Sequence, residues 1–556
     1  MPQDAFTIKY VAKELDEKLK GGKVSKITQP ERDTVVFIIY TKSGSVKLEI
    51  CASAQNTRIN LGEGNAENPL VAPNFCMLLR KHLQNAEVLE VSCENFERVV
   101  YIDFYCVSDF TSEKMRLYCE LMGKYSNILL VKDGIISGAL KTNSLGENTR
   151  RLFFTGAKYT PPVPQDKISP DDIAALKEIL PANRSDTAEY LCEKIKGISL
   201  ATALDIAELY GSGATADDVY NFLNDGKLSP CVVYENGRAK DFKVKHAGGD
   251  VKPYDSVLKA QSEYFAYVLE KRAFDEEKKK LTLALNAFVK KCEKRLKEEN
   301  EKLFACRDAE ELKLKGELLT ANMYAVKGGD YFEAINYYDE NGGTIKIALD
   351  KKLSPQQNAQ SYFKRYKKAV RTIETVTKLR DKTLAELNYF SSISTHISSA
   401  ERILDLKEVR QELEENGILK APVTKKKPKV QTAPFRKYNL DGYEVYAGRN
   451  NLQNDRLLKA LSPDDIWLHT KGYHSSHVGI AAKGEVPIEI ILKAAEICAY
   501  YSEGKAGDRI EVDYTKRKFV KKPPKSAAGF VTYTDYKTLI VKPYSHEKER
   551  IDDNEA

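Results

Sequence analysis

No stretch of this 556-residue chain approaches the roughly 20 consecutive apolar residues that a membrane helix needs. Nor does it open on the basic-then-apolar layout of a secretory leader, since it begins Met1-Pro2-Gln3-Asp4. Its ten cysteines never form a C-x-x-C pair, so neither a zinc ribbon nor a redox motif is signalled. Scattered thiols, reduced and mostly buried, fit a reducing compartment, and the expected location is the cytoplasm, with no membrane partner. Also missing are a nucleophile elbow, a Walker loop, an H-E-x-x-H helix and a glycine-rich dinucleotide turn; Gly62-Glu63-Gly64 is too short to be one. The sequence thus predicts a protein that is not an enzyme and calls for no cofactor.

What is present is ordinary in amount and uneven in place. Hydrophobic residues make up 42% and charged residues 30%, the balance of soluble folded material. The length exceeds what one core supports, so several domains are expected. The net charge is only +7, yet between Lys425 and Lys525 there are 20 Lys and Arg against 12 Asp and Glu, so the excess is concentrated there. A local basic excess is the footprint of a polyanion binder.

The periodicities predict an α+β multidomain chain. An amphipathic helix over 6–19 precedes strand-like runs at 23–30, 34–40, 45–50, 99–104, 115–121 and 127–131, with a helix at 73–83, which together make a first domain over 1–165. A Pro-rich boundary, Tyr159-Thr160-Pro161-Pro162-Val163-Pro164, leads to a helical domain over 166–230. There Ile195-Lys196-Gly197-Ile198-Ser199-Leu200-Ala201 resembles a helix-hairpin-helix, whose turn amides can face phosphate; a plain helical packing unit is the other reading. Two charge-dense helices follow within 250–420. Leu281, Leu285, Phe288, Cys292 and Leu296 recur at helical steps in the first, and Tyr366, Val370, Ile373, Leu384, Leu387, Phe390 and Ile397 do so in the second. They predict an antiparallel coiled-coil arm with a tip over 321–355. After the polybasic linker Lys425-Lys426-Lys427-Pro428-Lys429 comes a basic α+β domain over 435–545, with strands at 442–447, 465–468, 478–481, 509–514 and 538–541 and a helix at 488–502. A polar tail over 546–556 is expected to be disordered.

Within the basic domain, His469, His474 and His477 fall inside nine residues, but no cysteine or acid sits at helpful metal-ligand spacing. Hydrogen bonding to RNA, or packing near Trp467, suits them better than a metal. Lys516-Arg517-Lys518-Phe519-Val520-Lys521-Lys522-Pro523-Pro524-Lys525 sets six cations around one ring, a pattern able to hold phosphates and stack an unpaired base. A solvated loop without a partner is the plainer alternative.

Several long motifs resemble the NFACT family. Asp465-Ile466-Trp467-Leu468-His469-Thr470-Lys471 with Ser476-His477-Val478, Gly448-Arg449-Asn450-Asn451-Leu452-Gln453-Asn454-Asp455, and Val512-Asp513-Tyr514-Thr515 look like its RNA-binding domain. Residues 73–83, Met122-Gly123-Lys124-Tyr125-Ser126-Asn127-Ile128 and the run Leu353-Ser354-Pro355 with Asn358-Ala359-Gln360 resemble its amino-terminal and middle parts. The resemblance implies an amino-terminal domain with a DNA-glycosylase-like fold. It also implies a job in ribosome quality control: binding the large ribosomal subunit and its rRNA after a stall, with peptidyl-tRNA and its nascent chain still attached. Charged tRNA, chiefly tRNA-Ala, would be recruited for template-free carboxy-terminal tailing, with an RqcP-like helper and with the ribosome making the peptide bond. An Asp-Arg pair of the family, associated with tRNA, matches Glu97-Arg98 here. By the same resemblance the RNA-binding residues expected are Arg449, Asn450, Asn451, Trp467, His469, Lys471 and His477, joined by Lys516, Arg517, Lys518, Lys521 and Lys522 of the basic run.

Two other functions compete. Glycosylases that use an amino-terminal proline follow it with glutamate and end in a four-cysteine finger, whereas here Gln3 follows and only Cys498 lies beyond Cys306. Members of the family have also been called fibronectin-binding adhesins, a role for which the sequence shows no surface anchor.

Overall fold

The computed structural model describes residues 3–62, 68–94, 96–107, 112–143, 151–179, 188–210, 215–245, 248–339, 342–420, 433–482 and 484–551. The linker Lys425–Lys429, Met1-Pro2, Glu63-Gly64 and Asn95 therefore lie outside the described residues. The chain divides into two compact units, Met1–Lys271 and Arg272–Ala556.

In the first unit, helix α1 (Ala5–Leu19) starts where the Asp4 carboxylate accepts from the Thr7 amide at 2.9 Å. Its Ile8, Val11, Leu15 and Leu19, spaced three or four apart, are fully buried. They pack under a nine-stranded antiparallel sheet in the order β4-β3-β2-β1-β5-β6-β7-β8-β9. The strands are β1 (Lys23–Glu31), β2 (Thr34–Thr41), β3 (Gly44–Cys51), β4 (Arg58–Leu61), β5 (Glu87–Cys93), β6 (Val99–Val107), β7 (Ser112–Glu120), β8 (Asn127–Lys132) and β9 (Ile135–Ala139), with α2 (Asn74–Leu83) between β4 and β5. Every predicted strand is present. Three more were not foreseen, because β4, β5 and β9 are short or mix polar residues into the alternation.

Four short helices follow: α3 (Ile173–Ile179), α4 (Ala188–Lys194), α5 (Leu200–Tyr210) and α6 (Ala216–Asn224). Gly197 turns between α4 and α5 at φ +78°. That turn faces inward. The Ser199 amide and the Thr202 hydroxyl donate to Asp4 at 2.8 and 2.6 Å, and the Gly197 carbonyl accepts from the Phe6 amide. A three-stranded sheet absent from the sequence reading, β10 (Cys231–Glu235), β11 (Arg238–Lys243) and β12 (Val251–Pro253), precedes α7 (Val257–Ala305).

In the second unit, the later turns of α7 pack on α9 (Pro355–Ser399). Leu281, Leu285 and Cys292 are buried from one helix and Phe390, Ile393 and Ile397 from the other, with Phe288 edge-on to Phe390 at 4.8 Å. The seam also holds a polar layer, since the Thr383 hydroxyl donates to the Glu299 carboxylate at 3.1 Å. Leu384, expected in the seam, is 45% exposed. The tip is α8 (Ala309–Ala321) with the hairpin β13 (Tyr331–Ile335) and β14 (Thr344–Ala348), and it begins earlier than residue 321. Ser354 and Gln357 form a reciprocal capping box at the start of α9.

Helix α10 (Ile403–Glu415) then leads to a six-stranded sheet ordered β15-β16-β18-β17-β19-β22. Its elements are β15 (Arg436–Leu440), β16 (Tyr443–Ala447), α11 (Asn451–Ala460), β17 (Ile466–Thr470), β18 (Val478–Ile480), α12 (Ile488–Tyr500), β19 (Ile510–Lys516), the small pair β20 (Val520–Lys521) and β21 (Thr532–Tyr533), and β22 (Lys537–Val541). The apolar face of α12 covers one side of the sheet, and Trp467, Leu457 and Val520 fill a second cluster. Residues 546–551 correct the expected tail. His546 is buried and bonds Glu496 at 2.7 Å, the Ile551 amide reaches the Lys437 carbonyl, and Arg550 pairs with Glu401. Among the described residues no helix is long and apolar enough to cross a membrane.

Candidate nucleic-acid interface

In the first unit the strands β5 and β6 are joined by a tight turn holding Glu97 and Arg98. Phe96 sits there at φ +47°, a left-handed conformation unusual for an aromatic residue, and is buried. The inward Gly197 turn fits against it: a Cβ on Gly197 would lie 2.8 Å from the Phe96 carbonyl oxygen. Glu97 ion-pairs with Lys196 of that turn at 2.9 Å, so a carboxylate expected to orient Arg98 is held by a lysine 99 positions away in sequence. Arg98 is half-buried, and its carbonyl accepts from the Leu121 amide at 2.8 Å. These contacts hold Phe96 and Glu97 beside the point where Arg98 leads into β6.

In the second unit, the residues expected to touch RNA separate into three groups. The first lies beneath the surface. Arg449, Asn450 and Asn451 are buried, and they face α10. Asp405, Glu408 and Glu412 recur along one face of that helix, each 1% exposed. Arg449 Nη1 meets Asp405 at 3.3 Å and Glu401 at 3.1 Å, while its Nε donates to the Pro434 carbonyl at 3.0 Å. Asn450 caps α11 through its side-chain oxygen and donates to Glu408 at 2.6 Å, where Gln453 and Arg456 converge as well. Asn451 donates to Glu412 and to Ser392, both at 2.9 Å, and its oxygen meets His396 Nε2 at 3.1 Å. Burial raises the Glu412 carboxyl to about 7 and lowers His396 to about 4. This motif bolts the sheet domain to α9 and α10 from buried positions. The physical reason is charge pairing between segments some 40 residues apart, which no local pattern in the sequence reports.

The second group is an aromatic floor. Trp467 is fully buried, parallel to His469 with centroids 5.8 Å apart, and in contact with His477 at 5.2 Å and Tyr533 at 4.9 Å. Trp467 and the buried His477 are thus beneath the surface, whereas half-buried His469 borders a cleft of about 780 Å³ between α9, the loop after β17 and residues 526–531. Burial lowers His469 to about 4 and holds His474 and His477 below their usual range. Burial thus favours the uncharged form of each ring.

The third group matches the expectation of exposure. Lys516 and Lys518 reach out on either side of Asp464, at 3.3 and 3.0 Å, while Lys521 is exposed and Lys522 pairs with Asp455. Arg517 is tied back, its Nε donating to the Leu458 carbonyl at 3.0 Å. Lys471, just past the end of β17, pairs with Glu511 of β19 at 3.3 Å, both side chains about half exposed. Surface pairs of this kind contribute little to stability and exchange readily for phosphate. Sequence reasoning missed the cleft-lining Tyr473, Phe530 and Ser526-Ala527-Ala528-Gly529; the only local sign of them was the glycine following the basic run.

Two family profiles together match nearly all of the described chain. That of the NFACT N-terminal and middle domains matches residues 4–432, and that of the NFACT protein RNA binding domain matches 433–533. The chain belongs to the NFACT family. It is 32% identical over 551 residues to the Rqc2 homolog RqcH of Bacillus subtilis, spanning 95% of this chain and 96% of that protein. The Rqc2 homolog RqcH of Streptococcus pneumoniae strain D39 is 31% identical over 98% of both chains. The solved carboxy-terminal part of the fibronectin/fibrinogen-binding protein of Streptococcus suis is 29% identical, covering 50% of this chain and 99% of that one at a TM-score of 0.40, a partial likeness that decides nothing about function. The NFACT RNA-binding profile covers Arg449, Asn450 and Asn451, the aromatic floor and the exposed lysines alike. Membership therefore does not by itself separate the buried residues from the exposed ones.

Proposed function

We propose that this NFACT protein is a non-enzymatic factor of ribosome quality control. It binds the large ribosomal subunit that still carries peptidyl-tRNA, recruits charged tRNA, chiefly tRNA-Ala, and supports template-free tailing of the nascent chain in the cytoplasm, with an RqcP-like helper. The near full-length similarity to RqcH proteins supports the role, and the single structural observation that carries the RNA contact is the exposed lysine run 516–525 in the RNA-binding domain. On this reading the amino-terminal sheet is glycosylase-like in fold only, the α4–α5 pair is a helix-hairpin-helix in form, and Arg98 meets tRNA. The ribosome makes the bond and the factor positions the substrates, so no general base or nucleophile is called for.

The test is to recover a tagged copy from cells and sequence every RNA that comes with it, with Arg98→Ala alongside. Large-subunit rRNA plus one enriched tRNA, the tRNA alone lost in the variant, is the expected result. Recovery of neither RNA would overturn the proposal.

A further inference from the structure

The cleft beside Trp467 has properties that the lysine run lacks. Its volume of about 780 Å³ falls in the range of sites that enclose small organic groups, roughly 300–1,000 Å³. Among its described lining residues Glu503 is the one carboxylate and there is no Lys or Arg, so it is not built for phosphate. It is built for something flat and polar. Tyr473 and Phe530, 45% and 53% exposed, stand at its lining with Tyr533, whose ring packs on the buried Trp467. His477, 1% exposed, is among the lining residues, and its buried Nδ1 has no hydrogen-bond partner, nor has the buried indole Nε1 of Trp467. Leaving a buried polar atom unmatched is unfavourable, and here two such atoms lie side by side at one cleft.

Position adds a second argument. The cleft wall formed by residues 526–531 begins immediately after Lys525, which ends the six-cation run. Lys525 itself is exposed, at φ +62°, and turns the chain from the lysine surface into the wall. Gly529, at φ +75°, lies close enough to Asn451 that a Cβ would come within 2.5 Å of its side-chain oxygen, so the wall is held by close packing.

We propose that the cleft receives one unpaired base of the bound RNA, stacked on the rim aromatics and hydrogen-bonded at its edge by His477, while the sugar-phosphate strand follows the lysines. The inference rests on the RNA-binding reading above and names what that surface recognises. A base offers a π-face to Tyr473 or Phe530 and N–H or lone-pair positions to a neutral imidazole, which a phosphate does not.

Trp467 is the single tryptophan of the chain, so its emission reports on the cleft floor alone. The experiment titrates the full-length protein with a short single-stranded RNA and with the same strand made of abasic ribose phosphates, reading both Trp467 emission and affinity. The base-bearing strand is expected to change the emission and to bind about tenfold more tightly than the abasic one. His477→Leu should remove most of that difference. Phe530→Ala and Tyr473→Ala, at exposed positions that leave the core intact, should do the same even if the histidine variant folds poorly. Equal binding of both strands with unchanged emission, both weakened by Lys518→Glu with Lys521→Glu, would overturn the cleft while leaving RNA binding in place. Failure of both strands to bind at all would overturn the cleft and the RNA-binding reading together.

Discussion

Replacing Arg449 by alanine separates a packing role from an RNA-binding one. The side chain is wholly buried and donates to Asp405 at 3.3 Å, to Glu401 at 3.1 Å and to the Pro434 carbonyl at 3.0 Å. Removing one partner of a buried ion pair costs about 3–5 kcal/mol, because the other charge stays desolvated. Here part of that is offset: Asp405 still accepts from the amides of Glu401 and Arg402, both at 3.1 Å, and Glu401 is one-third exposed to water. The expected loss is therefore toward the lower end, about 3 kcal/mol. At roughly 2–4 °C per kcal/mol for a unit of this size, the transition of the second unit should fall by about 6–12 °C. Arg449→Met, which keeps the stem and loses the charge, should fall nearly as far, while the RNA affinity of still-folded protein stays unchanged. Thermal unfolding followed beside RNA titration reads both quantities. A melting point held within about 1 °C together with a large loss of RNA affinity would refute the buried-network account.

Other expectations follow from different parts of the chain. Lys518→Glu with Lys521→Glu should weaken RNA binding in every sequence context and reduce the slope of log affinity against log salt by about one for each phosphate contact removed; an unchanged slope would exclude these lysines from the contact. Gly197→Ala forces a Cβ at φ +78° to within 2.8 Å of the Phe96 carbonyl, so the first unit should lose about 2–3 kcal/mol in denaturant unfolding, and a neutral result would show that the turn relaxes freely. For Glu401, burial would raise the carboxyl, but Arg436, Arg550 and Arg449 overcome it and hold it at about 2, below the ordinary 4.5. Because the folded value is depressed, its contribution is present above about 4.5 and is lost as the pH falls from there toward 2. The stability gap between the native protein and Glu401→Gln should accordingly close over that interval, and a gap independent of pH would mean that the three arginines do not act on it.

Much of the frame was legible because it depends on local period. The 3.6-residue apolar stripe of α1 and the two-residue alternation of β2, β6 and β7 each force one face inward, and the structure has them where the pattern put them. The arm was legible from the same stripes, apart from Leu384, where the helix phase drifts and a polar Thr383–Glu299 layer takes the seam. The exposed lysines could be read too, since six cations in ten residues find few buried partners.

What the sequence by itself determined, then, is the α+β multidomain plan, the coiled-coil arm and the basic surface, all of which follow from spacing along the chain. Only the tertiary structure decided which charged and polar residues are free to act. Arg449, Asn450 and Asn451 read like a polar recognition motif until Asp405, Glu408 and Glu412 are brought opposite them. Glu97 reads like the partner of its neighbour until Lys196 arrives from another helix turn. The lining of the cleft is drawn from α9, α11, the loop after β17 and residues 526–531, which lie far apart in the chain. Electrostatic pairing and desolvation depend on distance in space, and a one-dimensional pattern carries that distance only when both partners share an element.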